Sequence, residues 1–291
     1  MVEELAFEQH DVAQACRVLE ASRSGYYDWL RRPPSVRKTE DERIWQKIKR
    51  HWETSRKTYG RRRITKKLKD EGERIGKNRV VKIMKAHAIR GKGKKKFKPM
   101  TTNSNHKFPV AERVFQTENA ATQVTEANRF WGGDITYIPT EEGWLYLSVV
   151  LDLFTKKAVG HATRDNMQTD LILAALELAI KRQGIAIGSN LVFHSDRGSQ
   201  YASEEYQTKL KAADITPSMS RKGNCYDNAM VESFFRTLKV ELIYGRKFKT
   251  REEARTAIFE FIEVWYNRQR LHSSIDYMTP EQYEAKQSTA A

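Results

Sequence analysis

The chain has 291 residues, of which 39% are hydrophobic and 10% aromatic, so it can bury a substantial core and is not intrinsically disordered. A net charge of +15 favours a polyanionic partner, and no apolar run approaches the ~18 residues of a membrane span. The acidic start lacks an export-signal pattern and the two cysteines form no zinc or disulfide framework, so we expect a cytoplasmic protein without a membrane partner.

Residues 1–36 form the first predicted unit, an N-terminal helical hairpin. Two short helical patterns lie on either side of a predicted turn around Gly25, with Ser22 or Ser24 as N-cap of the second helix. Pro33-Pro34 ends the unit. A locally packed hairpin and a helix-turn-helix both fit this pattern.

The second predicted unit, residues 37–90, is helical and strongly basic. Residues 37–98 hold 25 Lys+Arg against 7 Asp+Glu, whereas the rest of the chain has 27 basic and 30 acidic residues. A surplus confined to one segment is typical of a nucleic-acid-binding module, because a surface kept for solubility would have more interspersed acids. Asn78 is predicted to cap the last helix of this unit.

Residues 91–125 are predicted to be a basic flexible linker, because they combine glycine, lysine and polar residues without periodicity. The lysine run could follow a DNA backbone or simply be a solvated tether.

Residues 126–245 alternate strand and helix patterns. Three strand patterns between residues 130 and 163 have the spacing of an antiparallel meander. After an apolar helix, residues 191–195 predict a buried strand, and Ser203 is the predicted N-cap of the helix that follows. The next short strand contains Pro217, which predicts a sheet edge.

Residues 246–291 are predicted to form a C-terminal helix and a tail. The helix runs from Glu252 to Tyr266, and the final residues show no structural pattern. We expect the tail to pack against the core, with DNA contact by Arg268 or Arg270 as the alternative, and we expect the final residues to be disordered.

Three acidic residues occupy positions where a metal site is expected. Asp134 lies inside an apolar strand, where a carboxylate is costly unless it is paired or binds metal. Asp196 follows the strand 191–195, at the strand end where α/β sheets form sites. Glu232 lies on an amphipathic helix, with 35 residues between it and Asp196. Such carboxylates suit Mg²⁺, and two ions ~3.5–4 Å apart can hold both oxygens of an in-line phosphoryl transfer.

The sequence around these acids resembles a known family. The similar stretches are Trp131–Tyr137, His194–Tyr201 and Asp227–Phe235. They are similar to the DDE transposases of the retroviral-integrase superfamily, and in particular to the OrfB transposases that bacterial insertion sequences encode in two overlapping frames. The resemblance extends over nearly the whole chain.

This resemblance implies a ribonuclease-H-like fold, in which a mixed α/β sheet forms the integrase catalytic core. A basic all-α helix-turn-helix-like domain precedes that core. In that topology the strands of Asp134 and Asp196 are neighbours.

The resemblance also implies an activity, which is cleavage of insertion-sequence ends and joining of the 3′-hydroxyl to DNA by divalent-metal-dependent phosphoryl transfer. Asp134, Asp196 and Glu232 would be both catalytic residues and metal ligands for two Mg²⁺ ions, with Mn²⁺ as a substitute. The implied partners are terminal inverted repeats, target DNA, the OrfA product or a fusion with it, and further copies of the chain on DNA. The implied location is the bacterial nucleoid.

DNA contacts follow from the same resemblance, most of them to phosphates. The basic residues expected to make them are Arg61, Arg62, Arg63, Lys66, Lys67, Arg79, Lys82, Arg221, Lys222, Arg236 and Lys239. Lys239 lies seven residues after Glu232, where the family often has a basic residue. We expect structural roles for His194, for Asp152 at a strand end, and for Asp227 as an N-cap.

Two other functions fit these residues. A ribonuclease-H-like nuclease would use the same three acids, but the basic helical unit and the long tail favour sequence-directed work on DNA. A catalytically silent, transposase-derived DNA-binding regulator would be expected to have lost an acid. A retroviral integrase proper would carry a His/Cys zinc module, which the sequence lacks.

Overall fold

The computed structural model describes residues 11–93, 109–114, 124–221 and 228–290. The predicted DNA contact Lys222, the predicted N-cap Asp227 and most of the linker 91–125 lie outside these residues. No helix in the described ranges is both long and apolar enough to span a bilayer.

Five helices lie within residues 11–93. They are α1 (Val12–Val18), α2 (Arg23–Arg31), α3 (Val36–Thr54), α4 (Arg61–Asp70) and α5 (Lys77–Ala86). Ser22 caps α2 as predicted, since its Oγ accepts the Gly25 N–H at 3.2 Å, and Gly25 therefore lies inside the helix and not in the turn. The predicted cap of α5 is wrong. Gly76 is the N-cap and Asn78 is already the second helical residue, because the extended backbone at Gly76 ends the preceding loop.

Helices α3, α4 and α5 pack around a shared apolar core, as the periodicity predicts. The buried side chains are Ile44, Ile48, Ile64, Leu68, Val80, Ile83 and Met84. Their burial leaves the charged faces of these helices outward, so the basic surplus is displayed by a packed three-helix unit.

A five-stranded mixed sheet forms the centre of the second half. Its strands are β1 (Phe130–Thr140), β2 (Gly143–Asp152), β3 (Ala158–Arg164), β4 (Val192–Ser195) and β5 (Thr216–Met219). The spatial order is β3-β2-β1-β4-β5, with β1–β2 and β2–β3 antiparallel and β1–β4 and β4–β5 parallel. The ribonuclease-H-like mixed sheet is thereby confirmed, and Pro217 lies on the edge strand as predicted.

Helices cover both faces of this sheet. They are α6 (Thr169–Gln183), α7 (Glu204–Ala212), α8 (Ala229–Leu238) and α9 (Arg251–Phe259). A further helix, α10 (Pro280–Ala290), contacts the β2–β3 turn through Glu284, which pairs with Lys157 at 2.5 Å. Helices α6 and α7 bury Trp131 and Phe193 on one face, whereas α8 and α9 bury Ile138 and Leu147 on the other. Ser203 caps α7 as predicted, since its Oγ accepts the Tyr206 N–H.

Two helices of the second half continue as π-helical turns. The turn Lys239–Ile243 follows α8, and the turn Glu260–Tyr266 follows α9. The predicted helix 252–266 is therefore two structures in series, a regular helix and a wider turn.

The tail differs from the prediction, because its final residues form α10. The Thr279 Oγ1 accepts the Gln282 N–H at 3.2 Å, and the Gln282 Oε1 accepts the Thr279 N–H at 3.1 Å. This reciprocal capping box, with Pro280 at the first helical position, explains why a helix begins there.

The tail packs inward, as we expected, and the alternative of DNA contact by Arg270 is wrong. Arg270 is only 5% exposed, and its guanidinium donates to both carboxylate oxygens of Glu241 at 2.9–3.0 Å. The Trp265 indole N–H also donates to Glu241, at 3.0 Å. The next tail residue contacts the basic unit 37–90, since the Leu271 N–H donates to the Tyr59 hydroxyl at 2.8 Å.

Candidate active site

Asp134 lies on β1, and Asp196 directly follows the last residue of β4, the parallel neighbour of β1. The β1–β4 ladder pairs Phe130 with Val192 and ends with Gly132 opposite His194. Asp134 and Asp196 each follow two residues after that last pair, and neighbouring strands are about 4.8 Å apart. The two carboxylates therefore lie close together, and the charge of Asp196 acts on Asp134.

Two glycines before Asp134 let the surrounding elements approach β1 closely. A Cβ on Gly132 would lie 2.6 Å from Cγ2 of Val231, the residue before Glu232 on α8. A Cβ on Gly133 would lie 2.4 Å from Cζ of Phe193 on β4. The absence of a side chain at these positions therefore sets how near the Glu232 helix and the Asp196 strand come to Asp134.

Backbone amides hold both aspartate side chains. Oδ1 of Asp134 accepts the Ile135 N–H at 2.8 Å, and Oδ1 of Asp196 accepts the Gly198 N–H at 2.9 Å. Burial, and then the negative charge of Asp196, raise the pKa of Asp134, with Glu232 contributing further in the same direction. The two aspartates are therefore a like-charge pair, which a divalent cation would relieve.

Glu232 and Lys239 both act electrostatically on Asp134. Glu232 lies on α8, where partial burial of its carboxyl raises its pKa and the nearby Arg236 lowers it. Lys239 is half-buried at the start of the π-helical turn, and its positive charge opposes the rise in the pKa of Asp134. Burial lowers the pKa of Lys239, and Asp134 raises it.

The structure brings two of the three predicted acids together as neighbours. In the parts of the chain that the structure describes, no three His, Cys, Asp or Glu side chains are grouped closely enough to hold a metal ion. The adjacent carboxylates of Asp134 and Asp196 have the ligand chemistry that Mg²⁺ prefers. Residues 222–227, which lead into the Glu232 helix, lie outside the described residues. The three-carboxylate set thus stays a prediction.

His194 is structural, as we expected. The Ser220 hydroxyl donates to the Ser195 carbonyl at 3.2 Å, so it accepts from Nε2 of His194, 3.1 Å away. The Ser218 hydroxyl lies 2.9 Å from Nδ1 and donates to it. With both nitrogens engaged, the buried ring connects β4 to β5 and stabilises the strand that ends at Asp196.

Asp152 is also structural. Its Oδ1 accepts the Thr155 N–H at 2.7 Å and the Phe154 N–H at 3.0 Å, and its Oδ2 accepts the Asn128 N–H at 2.7 Å. Burial raises the pKa of this carboxyl, although these hydrogen bonds lower it. Asp152 fixes the β2–β3 turn and is separate from the candidate site.

The predicted DNA contacts fall into two groups. Arg61, Arg62 and Lys82 are exposed on the three-helix unit and Arg236 is exposed on α8, whereas Lys67, Arg221 and Lys239 are half-buried.

Arg79, Lys66 and Arg63 contact other parts of the protein. Arg79 pairs with Asp41 at 2.6 Å, and Lys66 pairs with Asp70. Arg63, which we also expected to contact DNA, is half-buried. Its Nε donates to the Leu271 carbonyl at 2.9 Å, and burial lowers the pKa of its guanidinium, because the side chain packs against the tail.

Comparisons with known proteins agree with this architecture. The family model described as Integrase core domain matches residues 124–225, a second model of the same description matches residues 232–287, and the HTH-like domain model matches residues 39–97. Among solved structures, the chain resembles the HTLV-2 integrase catalytic core domain in complex with magnesium, at 19% identity and a TM-score of 0.40, covering 55% of this chain and 99% of that one. It resembles the BIV integrase catalytic core at 17% identity and a TM-score of 0.41, covering 56% and 97%.

Two relatives match along nearly their whole length. The insertion element IS600 uncharacterized 31 kDa protein of Shigella sonnei is 42% identical over 271 residues, which is 93% of this chain and 97% of that protein. Transposase InsF for insertion sequence IS3A of Escherichia coli (strain K12) is 38% identical over 280 residues, or 96% and 95%. The chain therefore belongs to the insertion-sequence transposases that combine an HTH-like domain with an integrase core, and it is a DNA transposase.

Proposed function

We propose that this transposase cuts the ends of an insertion sequence and joins the freed 3′-hydroxyls to DNA, with Asp134, Asp196 and Glu232 as its catalytic carboxylates. The observation that carries the proposal is that Asp134 and Asp196 each follow two residues after the last pair of the parallel β1–β4 ladder. The charge of Glu232, which acts on Asp134, supports including it as the third.

Divalent cations fit this set of oxygen ligands, and the proposal assigns it two Mg²⁺ ions, with Mn²⁺ as a substitute. When bound, they would lower the pKa of a water and neutralise charge on the reacting phosphate. The protein contributes the placement of the carboxylates, with Oδ1 of Asp134 and Oδ1 of Asp196 each fixed by one backbone N–H.

The proposed reaction consists of two phosphoryl transfers. In the first, water attacks a phosphodiester at the element's end, and the bond to the 3′ oxygen breaks to leave a 3′-hydroxyl. In the second, that hydroxyl attacks a phosphodiester in the element's other end or in target DNA and displaces a new 3′-hydroxyl. Both nucleophiles come from water or DNA, so no covalent protein–DNA intermediate is required.

The proposal divides the chain into five functional parts with the predicted boundaries. They are a hairpin (1–36), a DNA-binding unit (37–90), a linker (91–125), a catalytic core (126–245) and a C-terminal part (246–291). Arg61, Arg62 and Lys82 are the strongest candidates for phosphate contacts, because they are exposed on the three-helix unit. Lys67, Arg221, Lys222, Arg236 and Lys239 are further candidates, and Lys66 and Arg79 would have to leave their carboxylate partners.

The proposed partners beyond DNA are an OrfA product, or a fusion with it, and further copies of the chain assembled on the element's ends. The proposed place of action is the nucleoid.

The test is cleavage of a duplex that carries the element's terminal repeat, with Mg²⁺ or Mn²⁺ present. Asp134→Asn, Asp196→Asn and Glu232→Gln should each abolish nicking while gel-shift binding persists. Asp165→Asn, which changes an exposed acid before α6, is the matched control and should cut normally. RNA–DNA hybrids should remain uncut. Normal cleavage by Asp134→Asn would refute the assignment.

A further inference from the structure

A short basic segment outside the predicted DNA contacts lies beside the end of β1. Residues 246–251 read Arg-Lys-Phe-Lys-Thr-Arg, with four positive charges and no acid. Phe248 is buried in the core, whereas Lys247 and Lys249 are exposed on either side of it. The segment therefore presents two lysines to solvent from a position fixed by an anchored aromatic ring.

Backbone contacts hold this segment against the β1–β2 hairpin. Phe248 bridges to Thr140 in parallel register, and its carbonyl accepts the Glu141 N–H at 3.0 Å. Thr250 caps α9 by accepting the Glu253 N–H at 3.0 Å. The positions of the lysines are thus set by the fold, even though their side chains are solvated.

Within the ranges that the structure describes, neither Lys247 nor Lys249 is in a salt bridge, whereas the neighbouring Arg246 pairs with Glu253 at 3.1 Å. The Glu253 carboxylate nevertheless accepts the backbone N–H of Lys249 at 2.9 Å and interacts with its charge. Lysines without a salt bridge on a fixed segment are suited to phosphate groups.

An aromatic pair, the exposed Trp144 and the half-buried Tyr137, borders the same segment. Trp144 is 48% exposed at the start of β2 and packs edge-on against Tyr137, with ring centroids 4.8 Å apart. Arg251, the last residue of the basic segment, donates from Nε to the Trp144 carbonyl at 3.1 Å. A large exposed ring beside lysines offers a stacking face for a nucleobase.

This surface is continuous with the candidate active site. The Lys239 ammonium lies 5.7 Å from the centre of the Tyr137 ring, and the same lysine acts electrostatically on Asp134. Strand β4 ends at Ser195, so beyond Asp134 the edge of β1 is no longer paired with it. The carboxylates, Lys239, the aromatic pair and the basic segment follow one another along that edge.

We propose that Tyr137, Trp144, Lys247 and Lys249 bind an unpaired DNA strand that leaves the candidate active site, with a base stacked on Trp144 and phosphates at the lysines. This inference rests on the proposed function, because it extends the path of that same substrate. An unpaired strand fits better than a duplex, since only an unstacked base can reach a single protruding ring.

The turn residues Glu141 and Glu142 lie beside the same segment, since the Glu141 N–H donates to the Phe248 carbonyl and the Glu142 carboxylate accepts the Arg251 N–H at 2.8 Å. These carboxylates would repel phosphates, so the phosphates are placed at Lys247 and Lys249.

The test compares two labelled probes with the full chain in EDTA, by fluorescence anisotropy. One probe is a blunt 20-base-pair duplex, and the other carries a ten-nucleotide oligo(dT) 3′ overhang. Wild type should bind the overhang probe more tightly. Trp144→Ala should reduce this advantage roughly fivefold or more, as expected for one stacked base. Trp144→Phe, which keeps a ring, should retain most of it.

Charge variants test the lysines. Lys247→Gln with Lys249→Gln should flatten the salt dependence of overhang binding by about 0.7 in slope per lost phosphate contact. The control is Lys181→Gln with Lys211→Gln, which removes two exposed charges on α6 and α7. Unchanged melting temperatures would show that the variants are folded, since all the substituted side chains are largely exposed.

Three results would overturn the inference. They are no overhang advantage in wild type, an undiminished advantage in Trp144→Ala, or an equal loss of binding in the control pair. Because the assay contains no metal, it is independent of cleavage. A further outcome is that the wild-type protein binds the overhang probe more tightly in a Trp144-dependent way and yet fails to cut end DNA. That result would refute the proposed function but not the proposed strand-binding surface.

Discussion

Asp134 and Asp196 each follow two residues after the Gly132–His194 pair that ends the β1–β4 ladder. Sixty-one residues separate them in the sequence, yet the parallel pairing of β1 with β4 brings them near each other. Like charges held side by side destabilise a fold unless a cation lies between them. The loss of stability caused by this repulsion can be measured by thermal unfolding, without any assay of catalysis.

We predict that Asp196→Asn melts higher than wild type in EDTA, because it removes the repulsion on Asp134 and keeps an oxygen for the Gly198 N–H. Mg²⁺ should raise the melting temperature of wild type, since a ligand that binds only the folded state stabilises it, and this rise should disappear in the variant. Differential scanning fluorimetry with and without Mg²⁺ measures both effects. A variant with the wild-type Mg²⁺ response would show that Asp196 does not hold the ion.

Gly132→Ala should destabilise the protein by about 1–3 kcal/mol, because the added Cβ overlaps Val231 in a packed core. It should also slow cleavage, since Val231 adjoins Glu232. The double variant Gly132→Ala with Val231→Ala restores space at the contact. Its loss in free energy of unfolding should therefore be smaller than the sum of the losses in the two single variants. Urea unfolding of the four proteins in this cycle is the measurement, and strict additivity would contradict the close contact.

Periodicity and turn chemistry predicted the elements that surround the site. The strand carrying Asp134, the strand ending before Asp196 and the helix carrying Glu232 all occur where expected. Ser22 and Ser203 act as N-caps as predicted, because a cap depends on a few neighbouring residues. The neighbour relation of the two aspartate strands came from family resemblance, since local patterns carry no information about strand order.

What the sequence did not reveal depends on contacts between distant residues. Arg63 looks like its neighbours Arg61 and Arg62, but only the fold brings it to the Leu271 carbonyl. The Glu241–Arg270 pair is buried for the same reason. The helix at the C-terminus was predictable, because Thr279-Pro280-Glu281-Gln282 is a capping-box sequence with proline at the first helical position.

Arg270→Ala should cost about 3–5 kcal/mol of stability, since it leaves the Glu241 carboxylate buried without its charged partner. The control is Arg268→Ala, which removes an exposed arginine 3.5 Å from Glu281 and should cost less than about 1 kcal/mol. Chemical denaturation compares the two variants. Similar small losses would mean that Glu241 finds another partner.

Acid should weaken the contact of β3 and α6 with the turn Glu260–Tyr266. Burial alone would raise the pKa of Glu263, but hydrogen bonds from His161 and Arg182 outweigh it and lower the pKa to about 2. A lowered pKa in the folded state gives stability that is present above the unfolded value near 4.5 and is lost as the pH falls towards 2.

The stability difference between wild type and Glu263→Gln should therefore shrink by up to about 3 kcal/mol between pH 5 and pH 2.5. Urea midpoints over that range measure it. Parallel pH profiles of the two proteins would contradict the lowered pKa.

Substitution of two adjacent arginines, Arg62 and Arg63, can distinguish a side chain that contacts DNA from one that packs against the protein. Arg62 is exposed on α4, whereas Arg63 donates to the Leu271 carbonyl and lies over the Tyr59 ring at 5.4 Å. If Arg62 contacts a phosphate, Arg62→Gln should lower the salt-dependence slope of duplex binding by about 0.9 and leave stability unchanged. Arg63→Gln should do the reverse, lowering stability by about 1–3 kcal/mol, because it leaves a buried carbonyl without its donor.

Anisotropy titrations at several salt concentrations, with urea unfolding of the same preparations, measure both quantities. Because the two changes are chemically identical and one residue apart, differences in net charge cannot account for opposite outcomes. A slope that falls in Arg63→Gln and not in Arg62→Gln would reverse the assignment and place the DNA on the side of the unit that faces the tail.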